Sequence, residues 1–306
     1  MTKFTKPNLF IPGAAKSGTS SLHEYLNLHN DIFMSAKKEP HYFSHDQHYY
    51  NDEKRERYYS LFMQGKNHVY RGESSTGYMV FPNVIQRIQK DIENPKFIFI
   101  LRNPVDRIFS HYQWIRSFGI ENKGFREAIM NDMFIEPDPD ITFGMGYKYY
   151  FQCGLYGKWL NRFFDYFDRK NLFLITTESL NYKPIETINQ CFVFLGLPEL
   201  KEMNPIISNP TMYYNFPSLF NNIKSFISLS WLSADFRRKI PDNLKYGIKK
   251  IKKKLIVLSE SALVSSRKPV LTFDDRKWLT DLYYSDYGLL TSITGRSYSE
   301  WKDFHE

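Results

Sequence analysis

The stretch FIPGAAKSGTSSLHEYL, from Phe10 to Leu26, decides the fold. It begins with an apolar run typical of a buried strand, continues through a turn of small residues that holds one lysine, and ends in a helix-like segment. A strand that runs through such a turn into a helix directs several backbone N–H groups toward one point, where the positive end of the helix dipole adds to them. The stretch therefore predicts an anion-binding loop.

The residues of this turn narrow the kind of anion. Lys16 supplies a mobile positive charge and Gly18 permits close approach of a ligand. The other residues of the loop carry hydroxyl groups: Ser17, Thr19, Ser20 and Ser21. A nucleotide-triphosphatase loop needs its lysine directly after the second glycine, whereas this lysine stands before the glycine. The motif therefore does not fit an ATPase loop, and taken alone it is also compatible with a purely structural turn.

Further strands alternate with helices along the chain. Strands are expected at residues 8–13, 68–74, 96–101 and 171–177, and helix-like stretches follow them. This alternation predicts an α/β fold with a mostly parallel central sheet, helices on both faces and ligands at the carboxyl ends of the strands. We expect residues 1–306 to form a single domain. Residues 201–264 lose the strand pattern and predict a helical insertion or lid.

Composition sets the broad class. The chain has 306 residues, of which 42% are hydrophobic, enough for a sizeable core. Cys153 and Cys191 stand far apart, so two buried thiols are expected rather than a disulfide or a cysteine metal site. No signal-peptide core precedes the first proline and no later run approaches the length of a membrane span. We therefore expect a soluble, cytoplasmic protein.

The positive charge is concentrated in one segment. The formal net charge is +8, and lysines cluster in KYGIKKIKKKLIVL, residues 245–258, where apolar residues recur at helical spacing. The segment predicts an amphipathic helix whose basic face is either solvated or a weak contact site for an anionic partner or a membrane surface. No zinc-finger spacing or RNA-binding aromatic signature accompanies it, so we expect no nucleic-acid partner.

A second strand, turn and helix appears in FIFILRNPVDRIFSHYQW, from Phe97 to Trp114. Arg102 stands at the carboxyl end of the strand, where its guanidinium can meet a phosphate in bidentate fashion, and Ser110 follows about two helical turns later. Arg107 fits a structural pair better than a ligand. Two anion loops on adjacent strands imply a ligand with two separated anionic groups.

These motifs resemble those of a known family. KSGTSSL is similar to the 5′-phosphosulfate loop, and RNPVDRIFSHY to the 3′-phosphate motif, of sulfotransferases that use 3′-phosphoadenosine 5′-phosphosulfate (PAPS), above all the heparan-sulfate type and its soluble bacterial relatives. KKEPHYF, residues 37–43, resembles the segment that carries the catalytic carboxylate in the heparan enzymes. Residues 177–198 and 265–301 also resemble family segments, whereas residues 201–264 match poorly.

The resemblance implies roles for the two anion motifs. Lys16 would stabilise the charge that builds on the leaving phosphate, and Arg102 with Ser110 would hold the 3′-phosphate. The remaining loop residues would hold the 5′-phosphate: Ser17, Gly18, Thr19, Ser20 and Ser21. Sulfuryl transfer is an in-line displacement that relies on positioning and charge stabilisation, and it would release 3′-phosphoadenosine 5′-phosphate (PAP).

An acceptor must also lose a proton. Glu39 is the first choice of general base on the resemblance, and His41 is the second; in an extended segment the two side chains would share one side. Without the family, a surface ion pair between Glu39 and its flanking lysines is the simpler interpretation. The nearby histidines and Asp46 match no structural zinc pattern, and we expect no metal.

The acceptor is the least constrained part of the prediction. Heparan-type enzymes often carry a lysine at the head of the segment matched by ESSTGYM, where this chain has Glu73, which disfavours a polyanionic glycan. A small metabolite, a glycolipid or a saccharide fits better. The aromatic run at residues 146–151 fits either core packing or a stacking wall for an acceptor ring. Two other functions stay open: a kinase-like nucleotide-binding protein, and a non-catalytic anion- or membrane-binding protein that uses the lysine-rich segment.

Overall fold

A computed structural model describes residues 4–140, 147–204 and 269–305. Within them, five parallel strands form one sheet in the order β2-β3-β1-β4-β5. The strands are β1 Leu9–Ile11, β2 Ile32–Met34, β3 Tyr70–Ser74, β4 Lys96–Leu101 and β5 Leu172–Thr176. The predicted α/β class and parallel sheet are confirmed, and β2 is a strand that the sequence pattern did not reveal.

Ten α-helices in the described residues surround the sheet. They are α1 Thr19–Leu26, α2 Asp46–Tyr49, α3 Asp52–Ser60, α4 Val84–Asp91, α5 Pro104–Ser117, α6 Phe125–Asp132, α7 Tyr156–Tyr166, α8 Thr177–Tyr182, α9 Pro184–Phe194 and α10 Phe273–Thr294. Short 3₁₀ turns lie at residues 63–65, 76–79, 152–154, 169–171 and 302–304.

Alternation along β4 explains why helices cover both faces. Phe97, Phe99 and Leu101 join a core cluster with helices α4, α5, α7 and α10, while Ile98 and Ile100 join a second cluster with α1, α8 and α9. Successive side chains of a strand point to opposite faces, so this one apolar segment feeds both cores. Because β4 pairs with β1 in parallel, the loops that follow these two strands lie next to each other.

The strand order places three loops side by side. From β1 the chain runs to the edge strand β2, returns to β3, and then crosses β1 to reach β4 on the other side. All five strands are parallel, so the loops that follow β3, β1 and β4 open at the same edge of the sheet. A reversal of strand order at this edge is where α/β sheets form a ligand crevice.

Several expectations concern other parts of the chain. Cys153 and Cys191 are both buried free thiols, as predicted. No helix in the described ranges has the length and apolar character needed to cross a bilayer. The predicted insertion falls mostly on residues 205–268, and with the lysine-rich segment 245–258 it lies outside the described residues.

Candidate active site

The loop after β1 presents unpaired backbone donors. Gly18 caps α1 in the left-handed conformation, with φ of 92°, a geometry that favours glycine. The first intrahelical hydrogen bond runs from the N–H of Leu22 to the carbonyl of Gly18 at 3.1 Å. The amides of Thr19, Ser20 and Ser21 therefore have no acceptor within the helix and are available to a ligand at its positive end.

Lys16 lies in a strongly cationic environment. Its Nζ is 4.9 Å from the centroid of the Trp114 ring on α5. Burial, together with the nearby charges of Arg102 and Lys38, lowers the pKa of Lys16 from 10.5 to about 8. The charged form of this lysine is thus destabilised until an anion joins it.

The arginine motif reaches the lysine loop. Arg102 follows β4, and its Nη1 donates to the carbonyl oxygen of Lys16 at 3.4 Å. The carbonyl of Arg102 accepts from the hydroxyl of Tyr156 at 2.9 Å, which fixes the backbone at this point. Ser110 is buried on α5, the helix that begins two residues after Arg102. The structure brings Lys16 and Arg102 together, and the role of Ser110 stays a prediction.

A third cation, Lys38, completes the cluster and was not predicted as a ligand. Its Nζ donates to Ser20 Oγ at 2.7 Å and lies 3.4 Å from Thr19 Oγ1. Burial lowers the pKa of Lys38. In the sequence its only visible role was as an ion-pair partner of the adjacent Glu39, because nothing local indicates that it bends back onto α1.

Glu39 and His41 meet in a way the sequence did not foresee. Their φ values are 52° and 51°, so the segment is not extended and the condition under which the two side chains would share one side is not met. The side chains nevertheless converge, since His41 Nε2 lies 3.1 Å from Glu39 Oε2. The same oxygen accepts the backbone N–H of Thr76 at 2.8 Å. The hydrogen-bond partners of Glu39 are therefore His41 and Thr76 rather than the flanking lysines.

The electrostatics keep Glu39 ionised. Burial raises its pKa, but the hydrogen bond and charge of His41, the charge of Lys38 and the N–H of Thr76 outweigh this, and the net pKa is lowered. About a third of the Glu39 side chain, 34%, remains exposed. A deprotonated, accessible carboxylate beside a cationic cluster is able to accept a proton.

Polar and aromatic side chains around His111 link α5 to the residue that contacts Glu39, Thr76. His111 Nε2 donates to the carbonyl of Tyr147 at 2.9 Å, and its Nδ1 accepts from Arg107 at 3.2 Å. Burial and the charge of Arg107 hold the pKa of His111 well below its usual range, so the ring is neutral. The hydroxyls of Tyr147 and Thr76 lie 3.1 Å apart. Arg107 is fully buried, and its guanidinium also donates to the carbonyl of Tyr150.

His45 and Asp46, which follow Glu39 in the sequence, have other partners. His45 Nδ1 lies 3.3 Å from Asp140, and Asp46 pairs with Arg87. Within residues 4–140, 147–204 and 269–305, no group of three or more histidine, cysteine, aspartate or glutamate residues is arranged to hold a metal ion.

The family model described as the sulfotransferase domain matches residues 6–217. The chain belongs to the sulfotransferase family. This range includes the loop after β1, the segment with Glu39 and the arginine motif, so the resemblance read from those motifs is confirmed. The loop after β1 and the arginine motif follow adjacent parallel strands, and the segment with Glu39 follows β2 at the same edge of the sheet.

Individual relatives fit this assignment. Heparan sulfate glucosamine 3-O-sulfotransferase 5 of Mus musculus is 28% identical over 210 residues, which is 68% of this chain and 57% of that protein. Membrane-associated sulfotransferase kil1 of Dictyostelium discoideum is 34% identical over 115 residues, 36% of this chain and 24% of that protein. The chain thus spans less than two thirds of these relatives. The crystal structure of a sulfotransferase from Alicyclobacillus acidocaldarius superposes with a TM-score of 0.66 at 24% identity, covering 97% of this chain and 99% of that one, and it shows the same fold.

Proposed function

We propose that the protein transfers the sulfuryl group of PAPS to a hydroxyl or amine of a small metabolite, glycolipid or saccharide, with release of PAP. The observation that carries the proposal is the 3.4 Å contact between Arg102 and the carbonyl of Lys16. It joins the two anion motifs at one sheet edge, as a ligand with a 5′-phosphosulfate and a 3′-phosphate requires.

The residues present suit both ends of this nucleotide. Lys16, Lys38 and the free amides at the start of α1 would bind the phosphosulfate, while Arg102 and Ser110 would bind the 3′-phosphate. PAPS brings the sulfuryl group and a phosphate leaving group. The protein contributes the alignment of the two reactants and positive charge around the bridging oxygen.

The proton has a defined destination. As the acceptor oxygen or nitrogen bonds to sulfur, the bond from sulfur to the bridging phosphate oxygen breaks, and Glu39 takes the proton of the acceptor. Glu39 is ionised and partly exposed, which a base at this position requires. His41 donates to the carboxylate and is the alternative base.

One argument about the acceptor concerns Glu73. It is fully buried and accepts hydrogen bonds from Tyr58 and Ser75, so its own carboxyl group does not face an acceptor. The argument against a polyanionic glycan rests on the lysine that this position lacks, and it stays a prediction. The acceptor class is best found by experiment.

Ligand binding and product analysis test the proposal. PAP should raise the melting temperature and bind measurably by calorimetry, whereas ATP with magnesium should have little effect. Incubation of the purified protein with labelled PAPS and host extract should then yield a labelled product that identifies the acceptor. Absence of binding heat with PAP, or stabilisation by ATP with magnesium alone, would contradict the proposal.

A further inference from the structure

We propose that residues Glu73–Thr76, here called the support segment, hold Glu39 and His41 in the geometry needed for proton transfer, with Glu73 and Ser75 as positioning residues. The proposal rests on the proposed function, because it assigns a role around the same base. It concerns the segment ESSTGYM, whose chemistry the two anion motifs leave unused.

The base segment needs external support. Glu39 and His41 have positive φ values of 52° and 51°, a left-handed conformation that is unfavourable for residues with a side chain. Three hydrogen bonds from consecutive residues hold the segment. The Glu39 N–H donates to the Ser74 carbonyl at 2.8 Å, the His41 N–H donates to Ser75 Oγ at 3.1 Å, and the Thr76 N–H donates to Glu39 Oε2 at 2.8 Å.

Glu73 fixes the direction of the hydroxyl of Ser75. Ser75 Oγ donates to Glu73 Oε2 at 2.7 Å, so a lone pair of the same oxygen faces the N–H of His41. The other oxygen of Glu73 accepts from the hydroxyl of Tyr58 at 2.8 Å. Both oxygens of Glu73 are thereby used, and the carboxylate cannot turn without breaking the link to His41.

Burial makes this arrangement costly, which indicates that it has a use. Glu73 is 0% exposed, and burial raises its pKa to about 7. The donors from Tyr58 and Ser75 are neutral hydroxyl groups, so the burial of this carboxyl group has a desolvation cost that an apolar side chain of similar size would not have. The role that we assign to the buried Glu73 is to fix the direction of the Ser75 hydroxyl.

The support segment also reaches the anion loop. Ser74 Oγ lies 2.7 Å from Nδ1 of His23, a buried residue of α1, the helix whose first turn follows Lys16. One four-residue segment at the end of β3 thus contacts the base on one side and the phosphate-binding helix on the other. This fixes the distance between the proton acceptor and the leaving group.

Ser75→Ala and Glu73→Gln test the positioning role. Each should lower kcat by about 10–100-fold, the size expected for a small displacement of a catalytic group, and leave the Kd for PAP within about twofold. Hydrogen exchange should become faster at more than one amide of residues 37–43 but stay unchanged in residues 19–26. The exchange measurement needs no acceptor.

Glu121→Gln is the matched control. Glu121 is also buried and also accepts a tyrosine hydroxyl, that of Tyr150 at 3.2 Å, and in addition it pairs with Lys148 at 3.0 Å. None of these partners belongs to residues 37–43 or to the support segment. This variant should keep the wild-type exchange in residues 37–43. If Glu73→Gln does not fold, Ser75→Ala alone decides the question.

The outcomes separate this proposal from the proposed function. Wild-type exchange in residues 37–43 of Ser75→Ala, or a loss of kcat no larger than that of Glu121→Gln, would overturn the positioning role. Failure of the wild-type protein to bind PAP would instead overturn the proposed function, and the exchange result would still decide whether the support segment holds the base.

Discussion

At the scale of single residues, the site is defined by positive charges placed close together. Lys16, Lys38 and Arg102 converge at the start of α1, and their mutual repulsion contributes to the low pKa of Lys16. Such an arrangement destabilises the ligand-free fold and is relieved when an anion binds. This arrangement supports the proposal that the ligand is an anion.

The unfavourable burial of the Lys16 charge predicts that Lys16→Met is more stable than the wild type near neutral pH. The pKa of Lys16 is about 8 in the folded protein against 10.5 in the unfolded chain, so the unfolded state binds more protons between these pH values and wild-type stability rises across them. Below about pH 8 the folded protein carries the buried positive charge of Lys16, which lowers its free energy of unfolding. Lys16→Met should raise the free energy of unfolding at pH 7 by about 1–3 kcal/mol, and the gain should shrink as the pH rises above 8.

Urea denaturation at pH 7 and pH 10 measures this difference, and transfer should be lost in the same variant. Lys37→Met is the matched control, because Lys37 is exposed on the neighbouring segment and its removal should change stability little. A Lys16→Met protein less stable than wild type at pH 7 would show that the lysine contributes more through packing than it costs through charge.

Replacement of Glu39 and replacement of Arg102 should change different quantities, the first kcat and the second the affinity for PAP. Glu39→Gln should lower kcat by about 10²–10⁴-fold with PAP affinity nearly unchanged, because the carboxylate acts on the acceptor proton. Arg102→Ala should instead weaken PAP binding. Initial rates and calorimetric titration with PAP distinguish the two effects. An active Glu39→Gln enzyme together with an inactive His41→Ala enzyme would move the base to the histidine.

At the scale of elements, the sequence predicted the motifs whose pattern lies within one short stretch, and it missed the features that depend on tertiary contacts. The two anion motifs each combine a strand, a turn and a helix within one short stretch, so their pattern is readable. Strand β2, Ile32–Met34, is three residues long and carries no alternation that marks it. Glu39 and His41 are left-handed although they are not glycine, and their N–H groups donate to Ser74 and Ser75, at and just beyond the end of β3. No local pattern reports contacts between residues so far apart in the sequence.

The C-terminal segment also makes tertiary contacts with the arginine motif. Its residues Asp303 and Trp301 are here called the brace. Asn103 follows Arg102, and its side-chain amide donates to Asp303 at 2.6 Å. The backbone N–H of Asn103 donates to Glu178, which also accepts from the indole N–H of Trp301 at 3.1 Å. These contacts tie residues near the end of the described chain to the residue beside Arg102.

Removal of this brace should affect ligand binding more than turnover. Asp303→Ala leaves the side-chain amide of Asn103 and Nη1 of Arg276 without this acceptor, whereas Nη2 of Arg276 keeps its contact with Asp106; we expect a loss of about 1–2 kcal/mol. We expect the Kd for PAP to rise by about tenfold, measured by calorimetry, with kcat changed by less than about threefold. Asp281→Ala, an exposed carboxylate on α10, is the control. If Asp303→Ala and Asp281→Ala changed the Kd for PAP equally, the contacts of Asp303 would not contribute to PAP binding.

At the scale of the whole molecule, the strand order explains why separated motifs form one site. The support segment, the lysine loop and the arginine motif follow three adjacent strands, β3, β1 and β4, although about sixty residues of chain separate the first two motifs. The sequence predicted parallel strands but not their order, because register and order depend on packing across the sheet. It therefore predicted two of the three loops that meet at this edge.

Since both anion motifs stand on one sheet, a ligand that spans them should stabilise the fold more than a ligand that reaches one. PAP has a 3′-phosphate and AMP does not, so PAP should raise the melting temperature more than AMP at equal concentration. Arg102→Ala should remove most of that difference, because a hydrogen bond to a charged group contributes about 1.5–3 kcal/mol.

Thermal denaturation of both proteins with both ligands completes the comparison, with Arg57→Ala on the exposed side of α3 as the control. The stabilisation by AMP should survive in Arg102→Ala, because the start of α1 and Lys16 still bind the 5′-phosphate. If Arg102→Ala lowered the effects of PAP and AMP equally, the arginine would serve the 5′ end, where its contact with the Lys16 carbonyl also lies. A loss confined to PAP would place the 3′-phosphate on the loop after β4, across the sheet edge from Glu39 and the support segment.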